Sequence, residues 1–281
     1  MTAIAAIATL TMREALRRRL VAALAVICLA LAALGAWAFY RIGHNGVLTS
    51  GEANGSLPEA FVLFAFMFSF VVALSASAVA APSVAAEVES GVLQAVVTRP
   101  VRRRDVILGK WLGLAAILAA FTAAVVGLQV AVVALVSGYV PPQPVTAAAY
   151  LFGEGAVLLT LVLLLSTRLS TLAAGVAGVA LFGAAWLLGV IGSLGLAAGI
   201  PALETAGRVS QYVLPTDGLW HGAIYALEPS SYLALQQGSG GSRGDPFFAA
   251  SAPTWAYLTW AAIWLVLILA LSVASFERRE L

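Results

Sequence analysis

Six apolar stretches, each long enough to cross a bilayer, follow one another along this chain, parted by polar interruptions of very unequal size. They cover Leu20–Tyr40, Pro58–Ala81, Val106–Val136, Ala147–Leu165, Leu172–Leu196 and Thr254–Phe276, and a span needs about 20 mainly apolar residues. Hydrocarbon offers backbone N–H and C=O groups no water, so such runs predict helices and not strands. The pattern predicts a single all-α polytopic membrane domain over residues 1–281, with six transmembrane helices.

The interruptions carry the rest. Ahead of the first run, Ile4, Ile7, Ala8, Thr11, Ala15 and Leu16 recur at helical spacing, while Arg13, Arg17 and Arg19 gather toward the end of the segment. Residues 1–19 read as an interfacial elbow helix with its arginines among anionic headgroups; the plainer alternative is a basic flank that orients the first span. Ser56 with Glu59 forms a capping box and Pro58 falls in the first turn, so the second span is expected to begin there. Gly138 to Val145 is an uncharged, proline-rich turn that makes a hairpin of the third and fourth spans. The stretch 197–253 is too long for a plain connector. In it, Leu219, Trp220, Ala223, Ile224 and Leu227 share one face of a short helix behind Thr216 or Asp217. A weaker amphipathic segment covers Pro201 to Val213, and both are expected on the leaflet or dipping into it. Trp255, Tyr257 and Trp260 are expected to form an aromatic belt at the start of the last span.

One interruption differs from all the others. Glu87 to Lys110 places Glu87, Glu89, Arg99, Arg102, Arg103, Arg104, Asp105 and Lys110 between two greasy runs. A connection between spans could be a few neutral residues. This one reads as a short amphipathic helix closed by Pro100, followed by a basic cluster at the mouth of the next span. Residues 83–105 are therefore the candidate docking element for something outside the membrane.

Composition agrees. With 62% hydrophobic and 10% charged residues and a mean hydropathy of +0.98, the chain is no ordinary soluble domain, where charged residues run near ~25%. The net charge of +2 says less than its distribution. With a cytoplasmic N-terminus, inside segments hold Arg13, Arg17, Arg18, Arg19, Arg99, Arg102, Arg103, Arg104, Lys110, Arg168, Arg278 and Arg279, and outside segments only Arg41, Arg208 and Arg243. The positive-inside rule then puts both termini in the cytoplasm, with the six spans in the cytoplasmic membrane. Ala36-Trp37-Ala38 mimics a signal cleavage site, but the run before it is too long for a signal-peptide core. Cys28 is the sole cysteine, which excludes disulfides and cysteine-rich metal centres within one chain.

Catalytic chemistry is missing from the pattern. Gly109-Lys110 comes nearest to a phosphate-binding loop, but Arg104 stands where its first glycine would have to be. His44 and His221 lie in different loops without a carboxylate cluster, so no metal site and no catalytic residue is predicted. Glu154 is the one carboxylate inside a span, about 12 Å deep at the helical rise and flanked by Gly153 and Gly155. An ionisable group there is either functional or a packed structural glutamate. Phe61, Phe64 and Phe68 share one face of the second span, and with Gly178 and Trp186 of the fifth they are the candidate walls of an apolar substrate cavity; lipid contact or plain packing is the alternative.

The Glu87–Lys110 segment resembles the hallmark loop of permease subunits in the second class of ABC exporters, the six-helix family that includes the nitrous oxide reductase maturation permease. Glu87, Glu89, Gly91, Leu93, Arg99, Pro100, Val101, Arg103, Leu108, Gly109 and Lys110 match that loop, while Val92 and Arg102 depart from its usual threonine and serine. The resemblance implies a homodimer, or a pair with a related permease, bound to two ABC ATPase subunits that hold ATP and Mg. It further implies export across the cytoplasmic membrane without an ATP-binding motif in this chain. Glu87, Glu89, Gly91, Leu93, Val96, Val97, Arg99, Pro100, Arg103, Gly109 and Lys110 would form or support the coupling helix. Two rival classes are a force-transmitting scaffold in a maturation complex and a secondary transporter. The latter would call for inverted repeats and midplane polar residues, and only Glu154 qualifies.

Overall fold

Every one of the six apolar runs is a helix, and most extend beyond the limits their hydrophobicity suggests. The computed structural model describes residues 3–17, 19–44, 50–90, 102–228 and 244–279. In chain order the helices are α1 (Ala3–Leu16), α2 (Arg19–His44), α3 (Ser50–Glu89), α4 (Arg103–Ser137), α5 (Pro144–Ser166), α6 (Thr171–Ala198), α7 (Pro201–Val213), α8 (Asp217–Leu227) and α9 (Trp255–Glu277). Among the described residues there is no strand. Six of these helices, α2 to α6 and α9, are long and apolar enough to cross a membrane.

Two boundaries differ from the sequence reading. The second span does not start at a capping box around Ser56: α3 is already helical at Ser50, and Pro58 lies within it. The same helix continues through Pro82 to Glu89, 40 residues in all. Tertiary contacts, not propensity, carry the helix through Pro82: Ala80, Ala81, Val84 and Ala85 are buried, and Lys110 holds Ser83 and Glu87. Glu87 and Glu89 thus sit on the last turn of a span rather than in a loop.

The core is built on α3 and α5. Val72, Ala73, Ala76 and Ala80 of α3 pack with Leu158, Leu159 and Val162 of α5, and Leu114 and Leu118 of α4 close the cluster. Small residues set the approach distances. A Cβ on Gly155 would meet Val72 and Leu118 at 3.0 and 3.1 Å, and one on Gly178 of α6 would collide with Val162.

α1 lies across the start of α4. A Cβ on Gly109 would stand 2.8 Å from the Ile7 side chain, and one on Gly113 only 2.6 Å from the Ala8 carbonyl oxygen. Backbone cannot yield as a flexible side chain can. Gly113→Leu should therefore unseat α1 and cost about 1–3 kcal/mol as an overpacked contact, read as a lower melting temperature in detergent. Gly127→Leu, on the same helix with open space around it, should leave that temperature unchanged; equal effects would remove α1 docking as the cause.

At the end of the bundle away from Arg103, α7 turns back along α6 and α8 climbs out along α5. Gly195 meets Leu203, Gly192 meets Gly207 at their backbones, and Ser210 Oγ donates to the Ala185 carbonyl near the midpoint of α6 (3.5 Å). The return leg places Leu219 against Gly153 and Gly222 against Tyr150, and the Gln143 amide donates to the Ala226 carbonyl. Helix α7 of 13 residues is about 20 Å long, so this re-entrant pair reaches about halfway down the bundle.

A helix end at that depth must have its carbonyls satisfied. Donors come from α9: Tyr257 Oη to the Gln211 carbonyl (3.4 Å), Trp260 Nε1 to Tyr212 (3.0 Å) and Trp264 Nε1 to Val213 (2.9 Å). The expected aromatic belt is thereby corrected. Trp255 alone of that trio is largely exposed, at 84%, whereas Tyr257 and Trp260 turn inward to cap α7.

Candidate functional site

The charged end of the bundle is organised around the ends of α3 and α4, which flank the segment 91–101. Gly91, Leu93, Val96, Val97, Arg99 and Pro100, expected to form the docking helix, lie outside the described residues. The residues that bracket them are tied into the bundle. Lys110, buried on α4, donates from Nζ to Glu87 Oε1 at 2.5 Å and to the Ser83 carbonyl at 2.6 Å. One ammonium thus holds the last two turns of α3 against the first two of α4.

Glu89 reaches the other way. Its Oε1 accepts from the Thr171 backbone N–H (2.9 Å) and its Oε2 from the Thr171 hydroxyl (3.2 Å). Thr171 opens α6, so the carboxylate occupies a helix N-terminus, where unsatisfied N–H groups and the helix dipole favour a negative charge. The sequence reading offered Glu87 and Glu89 as charge partners for another protein; the structure gives both of them partners within their own chain.

Arg103, Arg168 and Arg279 work as helix caps in the same region. Arg103 Nη1 donates to the carbonyls of Glu277 (3.0 Å) and Arg279 (2.8 Å), closing the end of α9. Arg168 Nε donates to Ser275 Oγ (2.8 Å), and Arg279 donates to the Thr167 carbonyl at the end of α5. Of the expected coupling residues that are described, Glu87, Glu89, Arg103 and Lys110 tie helix ends together, while Gly109 seats α1. Which helix ends they join is a matter of tertiary packing, and no local spacing announced it.

A cavity of about 760 Å³ opens between α2, α3 and α6 close to this end. Its wall includes Leu24 and Ile27 of α2, Ala78 and Pro82 of α3, and Thr171 and Val176 of α6. The five residues expected to wall a cavity sit elsewhere. Phe61 and Phe68 are fully buried, and Phe64 packs on Phe39 at 5.7 Å between ring centroids. Trp186 lies 5.2 Å from Phe66 and 6.0 Å from Phe70, and the side-chain space at Gly178 is taken by Val162. The helical face chosen from the sequence is the packed one. Leu74, Ala78 and Ala81, which do line the cavity, are too ordinary in a membrane helix to have been singled out.

Glu154 is buried and accepts from Ser69 Oγ at both oxygens (2.9 and 2.8 Å), joining α5 to α3. Toward the other end, Asp217 is also buried: Gln211 Nε2 donates to its Oδ2 (2.7 Å), and its carboxyl rests on Gly189 of α6. His221 stands one turn beyond, with Nδ1 2.8 Å from the Asp217 carbonyl. Among the described residues no group of His, Cys, Asp and Glu could hold a metal ion.

Past the end of α8, Glu228 is almost wholly buried, and burial first, then the nearby Asp245, push its carboxyl up to about 8. Burial and Glu228 raise Tyr139 beside it. The folded chain therefore keeps a proton on Glu228 at pH values where the unfolded chain, near the ordinary carboxylate value of about 4.3, has lost it. Stability contributed by this group is full below that value and declines as pH rises to about 8. Glu228→Gln should flatten the decline, measured as melting temperature against pH between 5 and 8.5, roughly the window these values define; parallel curves for the two proteins would count against it.

Residues 5–281 match the sequence model of a family described as ABC-2 family transporter protein. No curated protein matches the chain.

Proposed function

The chain belongs to the ABC-2 family of transporter proteins, and from that premise we propose that it is the permease subunit of an ATP-driven exporter. Family membership makes it a multi-pass membrane subunit whose partners are ABC ATPases. In our reading two copies of this chain pair in the cytoplasmic membrane, both termini in the cytoplasm, and two ATPase subunits supply the sites for ATP and Mg. The ATPases engage residues 83–105, and their closure moves the ends of α3 and α4.

The observation that carries this reading is the Glu89–Thr171 contact. It joins the last turn before the docking segment to the first turn of α6, and α6 forms one wall of the 760 Å³ cavity. A displacement of the segment thereby has a short mechanical route to the cavity. The wall is apolar apart from Ser77 and Thr171, which favours an apolar or amphipathic cargo.

The test is co-expression of the tagged chain with the genes that neighbour its own, purification in mild detergent, and measurement of mass and ATP hydrolysis. A complex of two permeases and two ATPases that hydrolyses ATP, and that moves a lipid-like fluorophore across vesicle membranes, is the expected result. A chain that recruits no ATPase would overturn the reading.

A further inference from the structure

At the basic end, the last turns of α5 and α9 diverge and leave a groove of about 320 Å³ lined by Leu164, Arg168, Leu271, Ala274, Ser275 and Arg278. Its chemistry is divided. Two guanidinium groups stand at one end, and apolar side chains line the remainder. Arg168 is held in place, with Nε on Ser275 Oγ (2.8 Å) and Nη2 on the Ser275 carbonyl (3.2 Å). The exposed Arg278 side chain makes no hydrogen bond or ion pair among the described residues. Among the described residues no acidic side chain lines the groove; Glu277, next to Arg278 in sequence, is not part of its wall.

We propose that this groove is a binding site for an anionic phospholipid of the leaflet at that end, separate from the transport cavity and independent of the transport reading. The phosphodiester sits between Arg168 and Arg278, and an acyl chain lies along Leu164, Ala274 and Leu271. Dimensions fit: Leu271 precedes Arg278 by seven residues, about 10 Å along the helix. The groove thus runs from the headgroup level into hydrocarbon, as basic pockets between membrane helices that hold anionic lipids do. A peripheral protein could meet the arginines but would not reach Leu271, which is 54% exposed on a spanning helix. A zwitterionic lipid would bring its own headgroup cation to a site that already holds two guanidinium groups.

The experiment uses the full chain in a neutral detergent, titrated with phosphatidylglycerol or phosphatidylcholine and read by native mass spectrometry and thermal shift. Wild type should retain phosphatidylglycerol in preference to phosphatidylcholine. Arg278→Gln should weaken that retention about fivefold, the effect of one basic residue at an anionic surface. Leu271→Trp, which fills the groove and keeps both arginines, should weaken it as well. Four results would each overturn the proposal: equal retention of the two lipids, an unaffected Arg278→Gln, an unaffected Leu271→Trp, or displacement of the lipid by glycerol phosphate alone. An Arg278→Gln variant that loses a co-purified ATPase while holding phosphatidylglycerol as before would assign the arginine to protein docking instead.

Discussion

Lys110→Ala should lower the stability of the chain by about 1.5–3 kcal/mol, the range for hydrogen bonds to a charged group, since the Glu87 side chain left behind is 26% exposed and keeps access to water. The residue is 5% exposed, and its ammonium serves both the Glu87 carboxylate and the Ser83 carbonyl. Without it, two acceptors at the helix junction lose their donor. On the scale of a chain this long the loss corresponds to a fall in melting temperature on the order of 5 °C. The pair itself need not be stabilising relative to an apolar replacement. Lys110→Met combined with Glu87→Leu should accordingly recover most of the loss. The comparison separates folding from coupling: if the double variant melts like wild type yet turns over ATP without moving cargo, the clamp serves transmission. A Lys110→Ala chain with an unchanged melting temperature would mean that α3 and α4 are held together by packing alone.

Glu89→Arg is expected to act on turnover more than on folding, because Glu89 is exposed and its two bonds go to a single residue. Hydrogen bonds to a charged acceptor contribute about 1.5–3 kcal/mol, and a cation at a helix N-terminus adds repulsion from the helix dipole. The link from α3 to α6 is lost. Cargo-stimulated ATP hydrolysis should fall about tenfold, the equivalent of roughly 1.4 kcal/mol in a barrier, while ATPase subunits still co-purify. Thr171→Val removes only the hydroxyl contact and keeps the backbone one, so it should give a smaller loss in the same direction. Full stimulated activity in Glu89→Arg would rule out the Glu89–Thr171 route. Loss of the ATPase subunits from that variant would instead return Glu89 to the docking surface.

The six-helix pattern was legible in the sequence because it depends on summed quantities, run length and hydropathy. Small errors in these cancel over 20 residues. Identities of partners were not legible, because Lys110 finds Glu87 from 23 positions away and Thr171 finds Glu89 from 82. Charge and spacing marked these residues as unusual in a greasy chain but pointed outward, toward another protein. In a membrane helix a polar side chain near the end has two outlets, the headgroup region or a neighbouring helix end, and only the packing decides. The aromatic residues show the same ambiguity. Trp255, Tyr257 and Trp260 have equal claim to an interfacial belt by composition, yet Trp255 faces out while the other two donate to α7. Phe66 and Phe70, on the face of α3 away from Phe61 and Phe68, were not among the residues chosen from the sequence, although they gather with Trp186, Phe182 and Trp220.

The indole and phenol donors that close α7 belong to the last helix of the chain, and a ribosome delivers them late. Trp264 leaves the tunnel some fifty residues after Val213, whose carbonyl it satisfies. Until then the tip of the α7–α8 pair would expose bare carbonyls to lipid, a state too costly to persist. The pair is accordingly expected to settle at its final depth only when α9 inserts beside it. Order of synthesis thus makes the final span a keystone: its arrival, and not the hydrophobicity of α7 itself, sets the moment at which this half of the membrane domain acquires its depth.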